Sequence, residues 1–280
     1  MADTPLQVTP QNTVSPETPS VLDVLRGAAK EFVLRVQEYS ELSWTALTNL
    51  ATPPRYAQDT LQQMDDIGVG SLPIVLLSGF FIGAVMVLQT GSQFERFGQT
   101  SLTGDVVSLA LVRELGPTIT GLLVAGRCSS GIASEIGSMV VTEQVDAMRA
   151  MGTDPYRKLV SPRLLATLIT VPLLTTISVF IGLLGGMVAS VFSLRLGAVT
   201  FWQRAIAVLA FSDLMQGFVK SVVFGFIIAT VGCYQGLNVR GGTQGVGRAT
   251  TQAVVVSSVL IIVADTFITK LALFLADRIF

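Results

Sequence analysis

IGVGSLPIVLLSGFFIGAVMVLQT (residues 67–90) carries no charged side chain. Its length meets the roughly 20 residues that an α-helix needs to cross the hydrocarbon of a bilayer. Four more apolar runs follow, at about 106–126, 164–192, 205–233 and 253–275. The third is long enough to tilt. Five such runs predict an all-α polytopic membrane protein.

Composition agrees. Half of the 280 residues are hydrophobic, 13% are charged, and mean hydropathy is +0.64. A soluble domain carries roughly 25% charge. The net charge of -1 excludes nucleic-acid binding through a basic surface. Without His, the usual imidazole base and the usual zinc ligand are missing, and no metal site is expected. Cys128 and Cys233 have no CxxC partner and read as two buried structural thiols.

Residues 1–20 are rich in Thr, Pro and Gln and lack the charged start and apolar centre of a secretory signal. They read as a disordered cytoplasmic tail. Over 21–50 apolar residues recur at helical spacing, with Asp23, Arg26, Lys30, Glu31, Arg35 and Glu38 between them. This predicts an amphipathic helix, lying in the membrane interface or packed on a partner, and ended by Thr52, Pro53 and Pro54. The remainder, 51–280, forms the membrane domain.

Orientation follows the cations. Arg127, Arg149, Arg157, Lys158 and Arg163 fall between the second and third runs, and Arg240 and Arg248 between the fourth and fifth. The other two connections hold Arg96, Arg195 and Arg204. Positive residues stay inside, so the N-terminus is expected in the cytoplasm. With five spans the C-terminus then faces outward. Gly79 and Gly83 form a GxxxG, and Gly182, Gly185 and Gly186 cluster on the third run. Small residues let helices approach closely in lipid.

One polar stretch interrupts the apolar sequence: EIGSMVVTEQVDAMRAMGTDP (residues 135–155). Thr142 can cap a helix start, and Gly152 with Pro155 can end it. The helix expected over about 142–152 sets Val145, Met148 and Met151 on one side and Glu143, Gln144, Asp146 and Arg149 on the other. It is too short and too charged to span. Two readings fit: insertion of the Met-rich face into a groove on another protein, or a cover for the protein's own cytoplasmic end.

Charged residues also fall inside the runs. Arg113 and Glu114 precede Gly116 and Pro117 in the second; Lys220 sits within the fourth. A charge at the centre of a lipid-facing helix costs on the order of 3 kcal/mol. Adjacent helical residues point about 100° apart, so at most one of Arg113 and Glu114 is expected to aim into a cavity. Arg113 is placed to satisfy the carbonyl that Pro117 leaves without a donor. Glu114 is the natural partner of Lys220. Such a pair either fixes packing alone or belongs to a substrate cavity that contacts a phosphate or gates the path. Asp265 is expected to pair across helices and Lys270 to snorkel outward. Arg248, before the fifth run, is placed to contact lipid phosphates at the inner surface.

ELGPTITGLLVAGRCSSGIASEIGSMVVTEQVDAMRAMGTDPYRKLVSPRLLA (residues 114–166) resembles the characteristic region of the MlaE (YrbE) family of ABC-transporter permeases. The likeness continues in LPIVLLSGFFIGAVMVLQ, FVKSVVFGFIIATVGCYQG and GVGRATTQAVVVSS, in unbroken order over roughly 50–280. Where some members carry basic residues, this chain has Gln62 and Gln252. The resemblance implies that Glu143, Val145, Asp146, Met148 and Met151 belong to a coupling helix that docks on a cytoplasmic ATPase. It also implies that Arg113, Glu114, Lys220 and Arg248 serve a phospholipid cavity. The chain has no GxxxxGK[ST] loop, so it is not itself an enzyme and needs no cofactor. ATP and Mg²⁺ belong to the partner.

By the same resemblance the assembly is a homodimer in a bacterial inner membrane, moving glycerophospholipid between inner and outer membranes. An MCE-domain protein is expected on the periplasmic side and a STAS-domain protein on the ATPase. Two other functions compete. One is an ion-coupled secondary transporter with Arg113, Glu114 and Lys220 as its relay, weakened by the lack of His and of an internal repeat. The other is a non-transporting scaffold for the ATPase.

Overall fold

The structure is a computed structural model and describes residues 21–51 and 56–279. The expected tail over 1–20 and the helix-ending Thr52, Pro53 and Pro54 lie outside the described residues. Among the described residues every regular element is helical.

Helix α1 (Val21–Ala51) crosses the boundary between two compact units, the first ending at Ser40 and the second beginning at Glu41. In the first unit Val33, Leu34 and Val36 are exposed, and Arg35 pairs with Glu31 one turn away at 3.7 Å. In the second unit Leu42 and Ala46 are buried in a core with Ile132, Ile136, Val160, Leu164, Ala229 and Cys233. The last turns of α1 are therefore part of the membrane domain's interior.

Among the described residues, five helices are long and apolar enough to cross a membrane: α2 (Ala57–Arg96), α3 (Thr100–Val141), α5 (Tyr156–Ser193), α7 (Phe211–Leu237) and α8 (Gly242–Ile279). Helix α4 (Gln144–Ala150) joins α3 to α5, and α6 (Ala198–Ala207) lies between α5 and α7. Helices α2, α5, α7 and α8 pack in that order, each against the next, and α3 packs against all four. Glycine sets the α2–α5 approach. A Cβ on Gly83 would land on the carbonyl of Gly182, and one on Gly185 would land on that of Phe80. Only residues without side chains allow backbones this close.

Most helices outrun their apolar runs, and two of the differences have a specific physical reason. The second span continues past residue 126 to Val141 as one helix. Its far half is rich in small and polar residues that pack on neighbours: Gly137 faces Val239 and Val246, and Gly236 faces Ile136. Apolar composition marks where lipid is met, not where helical hydrogen bonding stops. Arg127 and Arg163, expected in a loop, are accordingly helical.

The apolar run from 205 is also broken. Phe201 and Ala205 of α6 are buried with Val107 and Leu111 of α3, and α7 begins only at Phe211. The reason is Asp213, whose Oδ2 accepts the Ala210 N–H at 2.9 Å and so satisfies a donor at the new helix start. Cys128 and Cys233 are buried free thiols, as read.

Candidate functional site

The intramembrane charges meet in two neighbouring clusters. Arg113 and Glu114 lie in a π-helical turn of α3 (Leu111–Leu115), a distortion frequent at functional positions. Arg113 does not turn to the carbonyl freed by Pro117. Its Nε and Nη2 both reach Oδ1 of Asp213, at 2.8 and 2.6 Å. Asp213 was not anticipated, although an acid in the first turn after an apolar run is a recognisable helix-start signal.

Glu114 forms the expected pair with Lys220, through Oε2. Thus both adjacent residues engage α7. Their partners, Asp213 and Lys220, stand about 10 Å apart along α7, so the two side chains diverge along its axis. Asp265 of α8 completes the second cluster, its Oδ1 lying 2.8 Å from Lys220 Nζ. Thr269 donates to Glu114 Oε1 at 3.2 Å, and Gln216 donates to the same oxygen at 3.4 Å. The cross-helix pairing expected of Asp265 is therefore present, and Lys270 is exposed and apart from it.

Burial ranks these groups. The side chains of Lys220 and Asp213 are 0% and 3% exposed, whereas Glu114 and Arg113 keep 39% and 42%. Of the two roles open to the Glu114–Lys220 pair, packing or a place in a substrate cavity, this burial fits the packing role for Lys220. It has no free surface, and two carboxylates already neutralise it. Removing Lys220, the wholly buried member, costs about 3–5 kcal/mol. Arg113 and Glu114 are the members of the set open to a ligand. Beside them an apolar groove of about 310 Å³ runs between α5 and α7, lined by Val112, Val179, Leu214, Met215, Gly217 and Phe218 among others.

The second candidate region is α4, at the end where α3 stops and α5 starts. Thr142 does not cap it. The Thr142 hydroxyl donates back to Ser138 O at 2.8 Å, and the residue closes α3 instead. The turn into α4 is made by Glu143, in the left-handed conformation at φ 60°. The end of α4 is as read: Gly152 has φ 76°, its N–H bonds Arg149 O at 3.0 Å, and the Thr153 N–H bonds Met148 O at 2.9 Å. These are the two bonds of a Schellman ending.

The presumed apolar stripe of α4 divides. Val145 is buried against its own chain, Met148 is half-buried, and Met151 is 75% exposed. Glu143, Asp146 and Arg149 are exposed, the last two paired at 3.1 Å. Val145 is thus an anchor, and the accessible surface includes Glu143, Gln144, Asp146, Ala147, Arg149, Ala150 and Met151. Arg248, near the start of α8, is exposed and has no ion-pair partner among the described residues.

Sequence comparison places this architecture. The family model described as Permease MlaE matches residues 60–271. A probable ABC transporter permease protein of Rickettsia typhi is 42% identical over 241 residues, covering 86% of this chain and 93% of the relative. A probable ABC transporter permease protein of Synechocystis is 40% identical, covering 76% and 81%. The intermembrane phospholipid transport system permease protein MlaE of Haemophilus influenzae is 35% identical, again covering 75% of this chain and 81% of the relative. With its five apolar helices, its short exposed connecting helix and a match over most of its length, the chain belongs to the MlaE family of ABC transporter permeases.

Proposed function

We propose that this permease moves glycerophospholipid between the inner and outer membranes of a bacterium, as a two-fold homodimer with its cargo between protomers. The observation that carries the reading is the exposed helix α4 on an MlaE-family chain without a nucleotide loop, together with the phospholipid transport named for the Haemophilus influenzae relative. A separate ATPase docks on Glu143, Asp146, Met148 and Met151, with Val145 holding the helix to the membrane domain. The end bearing α4 then faces the cytoplasm, as does the N-terminus, and an MCE-domain protein sits at the other end. A STAS-domain protein binds the ATPase.

The mechanism follows from connectivity. Only Thr142 and Glu143 separate α3 from α4, and residues 151–155 separate α4 from α5. A push on α4 therefore enters α3 and α5 directly. Helix α3 carries Arg113 and Glu114, so its displacement strains the ion pairs to α7 and α8. Closure of the ATPase dimer on ATP shifts the permease between cavity-open and cavity-closed states by its differential affinity for them. Arg113 meets the lipid phosphate, Lys220 positions Glu114, and acyl chains occupy apolar surface.

Reversal of charge at Asp146 combined with Met148→Ala tests the reading. ATP-dependent transfer of labelled phospholipid in the reconstituted complex is expected to fall while the folded permease persists. Undiminished transfer overturns it. An ion-coupled relay through Arg113, Glu114 and Lys220 suits the charge cluster, but membership of an ABC permease family weighs against it. Copurification of an ATPase from the native host separates the two.

A further inference from the structure

Near α4, α2, α3 and α5 enclose a recess of about 180 Å³, apart from the intramembrane charges. Two inter-helix ion pairs form its walls. Lys158 pairs with Asp59, and Arg163 Nη2 lies 2.7 Å from Glu135 Oε1. Gln62, Gln63, Met139, Leu159 and Pro162 complete the lining.

The walls have hydrogen-bonding capacity left. The Arg163 side chain is 5% exposed, and its Nη1 donates to Leu159 O at 2.7 Å. Its Nε is buried without a partner. Lys158 has further N–H donors, while Asp59 and Glu135 each engage only one carboxylate oxygen in these pairs. Unused donors and unused acceptors thus belong to side chains that line one small volume.

This charge pattern selects its occupant. A phosphate dianion is repelled by Asp59 and Glu135, and a simple cation by Lys158 and Arg163. A zwitterion satisfies both sets, its phosphate toward the cations and its ammonium toward the carboxylates. Among the described residues no aromatic side chain lines the recess, and the face of neighbouring Tyr56 is already taken by Lys158 Nζ, 4.3 Å from its centroid. That disfavours a quaternary ammonium, which is held by ring faces, and favours a primary amine with N–H donors for carboxylates. A single water occupies about 30 Å³ of liquid volume, so the recess has room for more than a bridging water.

We infer that this recess binds the phosphoethanolamine head group of a lipid from the adjoining leaflet, a second station distinct from the charges on α7 and α8. The inference rests on the phospholipid-permease reading. Because the end of α3 and the start of α5 flank α4, a bound head group braces both sides of the coupling helix.

The test uses the full chain in detergent with an equal mixture of phosphatidylethanolamine, phosphatidylcholine and phosphatidylglycerol of matched acyl chains. Native mass spectrometry reads the lipids retained. Preference for the primary amine by roughly tenfold is expected, the size of one charge-assisted contact set. Glu135→Gln, which keeps an acceptor for Arg163, and Asp59→Asn are each expected to abolish that preference. Equal retention of the three lipids, or a preference unchanged in both variants, overturns the inference and leaves the recess to water. So does binding of soluble glycerophosphoethanolamine without any intact lipid. ATP-driven transfer of the three lipids is measured alongside, in the complex reconstituted with its ATPase. Transfer without amine preference defeats this site alone, whereas no transfer of any lipid defeats the permease reading.

Discussion

Lys220 lies wholly inside the helix bundle with the Asp265 carboxylate 2.8 Å from its ammonium. Glu114 closes on the same ammonium from α3. One cation therefore ties three spans together, and its loss leaves two carboxylates facing each other in a poorly hydrated interior. Lys220→Met is expected to destabilise the folded permease by about 3–5 kcal/mol. Glu114→Gln costs much less, about 0–1 kcal/mol, because Glu114 is 39% exposed and Asp265 still neutralises Lys220. Thermal unfolding in detergent checks the order; a larger loss for Glu114→Gln contradicts this arrangement.

Backbone contact between α2 and α5 makes a second prediction. Gly83→Ala places a methyl on the Gly182 carbonyl, so the helices must separate, at a cost of about 1–3 kcal/mol. Gly131 has no atom within 4 Å of where a Cβ would stand. Gly131→Ala is expected to stabilise α3 by about 0.5–1 kcal/mol. Equal responses of the two variants would show that the close approach does not exist.

The two turns around α4 respond oppositely to glycine. Glu143 adopts φ 60° without being glycine, a conformation that costs an L-residue roughly 1–2 kcal/mol. Glu143→Gly relieves that strain, and Gly152→Ala, at φ 76°, introduces it. Amide hydrogen exchange across residues 144–150 is expected to slow in the first variant and quicken in the second. Faster exchange in Glu143→Gly would mean that the side chain, not the strain, governs the turn.

Val145 and Met151 separate folding from docking. Val145 is buried, and truncating a buried aliphatic side chain typically costs about 1–2 kcal/mol. Met151→Ser alters a side chain that is 75% exposed, so stability should stay within about 0.5 kcal/mol. Affinity for the ATPase is expected to fall in Met151→Ser while Val145→Ala lowers the unfolding midpoint. A destabilised Met151→Ser with unaltered affinity would reverse these roles.

Much of the site was readable from residue type. Charges in apolar runs demand partners, which pointed to Glu114 with Lys220 and to a cross-helix role for Asp265. Asp213 is not legible in this way, because an apolar run with one acid near its start has the composition of a continuous span, whereas here the acid begins a new helix. The recess formed by Asp59, Glu135, Lys158 and Arg163 was equally hidden. Those residues are up to about 100 positions apart in the chain, and only helix packing gathers them.

The sequence by itself determined that this chain is helical, crosses a membrane with five apolar segments and carries a short polar helix between the second and third. Long apolar runs, the glycine that ends α4 and a family pattern over most of the chain express those features locally. The tertiary structure alone decided that Lys220 is sealed between Glu114 and Asp265, that Arg113 turns to Asp213 and that Val145 faces inward. Periodicity defines a helix face but not its neighbour, and in a low-dielectric interior the neighbour decides whether a charge is offered or neutralised.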